Sequence, residues 1–150
     1  MTDLFDIIDR LDDATGPDRE IDAAIDATLR VGKDSLPTWA HERFPVWRAT
    51  KLGMVEAVTS EGRGPSWDSL RFTGSIEAAT VLAERMLPDW GRMSYWNNCQ
   101  GHTALVEDNA NSYTGSTGKE YEATGATAAM ALCSAVLLAL ADRPDLMRSA

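Results

Sequence analysis

A chain of 150 residues is the size of one domain and long enough to bury a real core. Its 44% apolar and 25% charged residues are those of an ordinary globular protein. A formal net charge of −9 argues against duplex DNA, RNA or an anionic membrane surface as partner, because each must be met with phosphate-neutralising cations. A small anion held by one or two arginines stays open.

The first 31 residues read as a helical pair. Leu4, Ile7, Ile8 and Leu11 recur at helical spacing over residues 2–14, with Asp6, Asp9, Arg10, Asp12 and Asp13 on the wet side. Thr15-Gly16-Pro17-Asp18 ends this helix and starts the next, whose buried stripe is Ile21, Ile25 and Leu29. The acidic Met1-Thr2-Asp3 start lacks the basic-then-apolar pattern of a signal peptide, so both cysteines are expected as free thiols in a reducing cytoplasm.

Residues 32–71 show no clear period and are expected to form an irregular aromatic segment. They carry Trp39, Trp47, Trp67 and His41, and residues 52–59 fit a strand or a short helix equally well. Residues 60–65 are a loop by composition.

Residues 72–142 read as a helix, three strands and a helix. Ser75 caps a helix over 76–87, closed by Pro88. Strands follow at 90–97, 103–107 and 119–123, joined by turns at 97–101 and 109–118, so an antiparallel meander is the economical topology. The longest apolar run, residues 123–141, is the organising element. Thr124 and Gly125 break the preceding segment, Thr127 caps the helix, and Pro144 forbids its continuation. Being apolar nearly all round, it must be covered by the rest of the fold, and Cys133 is a small core residue on it. Residues 143–150 are a tail. The fold class is α+β, one domain over 1–150: a helical hairpin, then a helix, a small three-stranded antiparallel sheet and a buried C-terminal helix packed on it.

Three stretches carry a resemblance: ATGPDREIDAAI at residues 14–25, FTGSIEAA at 72–79, and ATGATAAMALCSAVLLA at 123–139. Together they resemble small proteins of tailed phages and prophages grouped as the phage ABA sandwich domain family. The resemblance implies a phage product made in a bacterial cytoplasm, and it implies no catalytic residues. The element order also matches a double-stranded-RNA-binding domain, but the start of the last helix, Thr124-Gly125-Ala126-Thr127-Ala128, has none of the lysines that grip phosphates there. RNA binding is rejected.

Enzyme signatures are sparse. Cys99 and His102 are close in sequence, yet nothing nearby completes a zinc set, and a turn between strands explains them. Gly62-Arg63-Gly64 and the GSTGK of residues 115–119 lack the spacing of a phosphate loop. What stands out is five tryptophans, Trp39, Trp47, Trp67, Trp90 and Trp96, placed outside the helical stripes with Arg43, Arg48, Arg63, Arg71 and Arg92. Aromatic rings stack on bases and guanidinium groups clamp phosphate. The leading expectation is therefore a non-enzymatic binder of a small nucleotide-like ligand, without cofactor or metal and self-associating. It would act as a sponge for a nucleotide messenger of host immunity, with Arg48, Trp67, Arg71, Trp96 and Asn97 as ligand contacts. The alternative is a protein-interaction module whose acidic residues 3–13 meet a basic partner. An enzyme degrading a nucleotide, with His102 as base, comes third.

Overall fold

Short polar side chains open the four longest helices of the computed structural model, which describes residues 3–62, 64–99, 101–108 and 119–148. Asp3 caps α1 (Leu4–Asp13) by accepting from the Phe5 amide, and Asp18 caps α2 (Arg19–Leu29) by accepting from Glu20 and Ile21. Ser75 caps α4 (Ile76–Met86) and Thr127 caps α5 (Ala128–Asp142), each accepting from the amide three residues on. A short α3 (Thr38–Arg43) lies between α2 and the first strands, and α6 (Asp145–Arg148) follows Pro144 where a plain tail was expected.

The strands form two separate antiparallel meanders. The first orders β1 (Trp47–Ala49), β2 (Met54–Ala57) and β3 (Ser66–Asp68); the second orders β4 (Arg92–Asn98), β5 (Gly101–Glu107) and β6 (Glu120–Gly125). The second is the expected small sheet, and the fold is α+β with α5 packed on it. The first corrects the reading of residues 32–71 as irregular. Its strands are three or four residues long, too short to establish a period of two. Pairing decides what periodicity left open: Val55 stands opposite Trp67, so residues 54–57 are a strand. Gly53 starts it at φ +88°, where a Cβ would lie 2.5 Å from the Arg19 guanidinium. Thr124 and Gly125 belong to β6 and do not precede the helix as a break. The close approach of Gly125 to the first turn of α5 leaves no room for a Cβ, which would come within 2.7 Å of the Ala131 nitrogen. The polar turn expected at 109–118 and the side chain of Arg63 lie outside the described residues.

Two cores result. The main one gathers Ile7 and Leu11 of α1, Ile21 and Ile25 of α2, Leu82 of α4 and Val106 of β5 around Met130, Leu132, Val136, Leu137 and Leu140 of α5. The smaller one packs Ala23 of α2 against Val55 and Trp67. Helix α2 thus serves both. Among the described residues no helix is long and apolar enough to cross a membrane.

A buried ion pair ties these parts together. Asp22, 1% exposed, lies 2.9 Å from Arg19 and accepts from both the amide and the hydroxyl of Thr73 at 2.7 Å. Arg19 also reaches Asp68 and the Ser69 carbonyl. The expected outcome of Asp22→Ala is a loss of about 3 kcal/mol in urea unfolding, because buried donors lose their acceptor. Removing the exposed outer partner of the same arginine, Asp68→Ala, is expected to cost less than about 1 kcal/mol.

Candidate functional site

The five residues expected to meet a ligand fall in different places. Trp67 is 3% exposed and belongs to the smaller core. Alternation along β3 explains it, since Ser66 and Asp68 face out and the residue between them must face in. Arg71 is exposed in the turn before α4, its carbonyl accepting from Gly74 and Ser75. Trp96, 38% exposed, lies on the second sheet beside Thr103, and Asn97 is exposed opposite His102, its side chain directed to the other face of β4. Arg48 lies on β1, in the same sheet as Trp67 but on its opposite face. The sequence therefore named a real aromatic and arginine content but not one pocket.

Arg48 does border a hollow. A groove of about 510 Å³ runs between α2 and β1. Ala24 and Ala27 form its floor from α2, and Val46, Trp47 and Val58 form its wall. Arg10 and Arg48 border it as well, Arg48 leaving β1 on the face opposite Trp47 and Ala49, beside Glu56. Arg48 donates from Nε to Glu56 Oε1 at 2.6 Å, and Arg10 sits 3.7 Å from Glu20. Both pairs are largely solvated, so each holds its arginine by less than about 1 kcal/mol and an incoming anion can exchange for the carboxylate. The small alanines of α2 matter here, because larger side chains would fill the space in front of Trp47.

Trp47 is held from behind by an aromatic knot. Its ring lies 4.9 Å from that of Trp67 and 5.2 Å from that of His41, centroid to centroid, and the Arg30 guanidinium sits 5.9 Å from its centre. His41 is committed on both nitrogens. Lys33 offers a carbonyl, so Nε2 must donate to it, at 2.6 Å; Arg30 carries only donors, so Nδ1 must accept from it. Both imidazole nitrogens are thus engaged by neighbours.

Beneath the knot Asp26 is wholly buried. Its Oδ1 accepts from the Gly32 amide at 2.8 Å, while Oδ2 faces the Trp67 indole N–H without reaching hydrogen-bond geometry. Burial raises the Asp26 pKa above the usual carboxylate range, and the Gly32 amide, Trp67 and Arg85 oppose the rise. Trp47 Nε1 and Arg30 Nε are likewise buried without a partner.

The two cysteines lie elsewhere. Cys133 is buried, its Sγ donating to the Phe72 carbonyl at 3.4 Å, and burial pushes the thiol far up. Cys99 is exposed next to the β4–β5 turn. Among the described residues no group of three His, Cys, Asp or Glu is placed to hold a metal ion. What the sequence reading missed is Arg10, which periodicity places on a solvated helix face and only the packing of α1 beside α2 brings to the groove. Compared with known protein families, curated proteins and solved structures, the chain matches none.

Because Asp26 is harder to ionise folded than unfolded, its penalty is absent below the unfolded pKa and grows as pH rises through the folded one. The expected outcome is that Asp26→Asn, measured by urea midpoint, compares more favourably with the unsubstituted chain near about pH 7 than near about pH 4.

Proposed function

We propose that the chain is a non-enzymatic binding protein that holds a small nucleotide-like ligand in the groove between α2 and β1. The supporting observation is a hollow of about 510 Å³ bordered by Trp47, by the small alanines of α2 and by Arg10 and Arg48, each arginine in a solvent-accessible ion pair. The apolar part of the ligand rests on Ala24 and Ala27 against Trp47, and its phosphates replace Glu56 at Arg48 and Glu20 at Arg10. Two local arginines are what an acidic chain needs to hold a small anion while still repelling polymeric nucleic acid.

The reading carries a biological role with it. If the likeness to phage proteins in the helical stretches reflects origin, such a binder in an infected bacterium acts as a sponge, lowering the free concentration of an immune nucleotide messenger. The action is stoichiometric and breaks no bond.

Native mass spectrometry of the bacterially produced protein, followed by thermal shift against linear and cyclic nucleotides, tests the proposal. A co-purifying nucleotide or a melting shift of several degrees is expected. Arg48→Ala and Arg10→Ala should each weaken that binding at least about tenfold, while the ligand-free melting temperature moves by no more than about 2 °C. A clean ligand-free mass with no shift across the panel removes the reading.

A further inference from the structure

In the second sheet β6 is an edge strand: it pairs with β5 and no described strand lies beyond it. The phase of its free edge follows from one bond. The Asp108 amide donates to the Lys119 carbonyl at 2.9 Å, so the main chain of Lys119 points toward β5. Alternation along an antiparallel ladder then turns the main-chain N–H and C=O groups of Glu120, Glu122 and Thr124 outward, and those of Tyr121 and Ala123 inward.

These outward groups open into a groove and not onto a bare rim. Two hollows of about 460 and 470 Å³ lie along β6 and adjoin at Glu122 and Leu138, which line both. Their apolar wall is Phe5 and Ile8 of α1 with Leu138 of α5. One polar atom in this wall is unsatisfied: Ser134 is 1% exposed, borders the groove, and its hydroxyl has no partner. The charges are mostly negative. Asp12, Glu120, Glu122 and Asp142 line the groove, and its lysine, Lys119, is already bound to Asp142 at 2.6 Å.

We propose that this edge captures an extended, lysine- or arginine-bearing segment of another protein, which adds to the sheet as a fourth strand beside β6. Main-chain hydrogen bonds to Glu120, Glu122 and Thr124 supply the docking, as in other strand-addition interfaces. Side-chain alternation sets the sequence of the guest: basic residues on the side of Glu120 and Glu122, apolar residues over Phe5 and Leu138. A second copy of this chain is a poor guest through the same edge, since two β6 strands would set glutamates against glutamates, the usual means by which natural edges avoid self-pairing. This inference is independent of the α2–β1 groove.

The probe is a short capped peptide of alternating lysine and valine, offered to the full chain and followed by residue-resolved amide exchange. Saturable binding that weakens with salt is expected, with exchange slowed at Glu120, Glu122 and Thr124 and little changed at Tyr121 and Ala123. Glu122→Lys should weaken it at least about tenfold. N-methylating one alternate set of peptide amides should abolish binding and methylating the other should be tolerated, because only one edge of a docked strand faces β6. Equal binding by both methylated peptides overturns the proposal, as that is charge attraction without a strand. So does bound peptide that leaves the three outward amides unprotected, or no saturable binding by about 1 mM.

Discussion

The Arg19–Asp22–Thr73 knot is the constraint on which the architecture depends. Residues 69–75 cross from the first sheet to α4, and a crossing segment has no ladder of its own to satisfy its polar groups. Arg19 takes the Ser69 carbonyl, Asp22 takes both donors of Thr73, and the Thr73 carbonyl accepts from the Thr127 hydroxyl that also caps α5. Phe72, between these anchors, is wholly buried and its carbonyl receives the Cys133 thiol. Each group satisfies a neighbour in another element, so the starts of α2 and α5, the end of the first sheet and the approach to α4 are placed together. An isolated buried carboxylate would be strongly unfavourable; the pair is tolerable because its remaining lone pairs are also filled.

With α2 held in this way, its two faces can serve two cores. Ile21 and Ile25 join the α5-centred core, while Ala23 meets Val55 and Trp67. The placement of Trp47 follows, because Trp67 and His41 back its ring and leave its remaining surface toward the α2 groove. The partnerless nitrogens of Trp47 and Trp67 and the buried Asp26 show that this knot is not optimised for stability alone.

The two surfaces singled out differ in sign and in geometry. The α2–β1 groove is bordered by two arginines paired with glutamates, and a compact anion is the occupant proposed for it. The β6 groove is elongated, acidic and bordered by main-chain groups in strand geometry, and it fits a cationic extended chain. A net charge of −9 is thus distributed in a way that its total does not reveal.

Local chemistry determined much of this protein. The caps at Ser75 and Thr127, the stripe of α1, the three strands of the second sheet and the all-round apolar α5 were legible because each rests on short-range propensity or on a period sustained over several residues. The first sheet was not, since strands of three or four residues exist only by pairing with one another. Nor was the site. Trp67 and Trp47 have the same side chain in the two outer strands of one small sheet, yet one fills a core and the other borders a groove. Arg10 and Arg48, 38 positions apart, meet one hollow only because α1 packs beside α2 and β1 lies across it. Which face of a short strand is buried, and which distant charges become neighbours, are properties of tertiary packing, where burial energy is shared among elements and no local pattern records it.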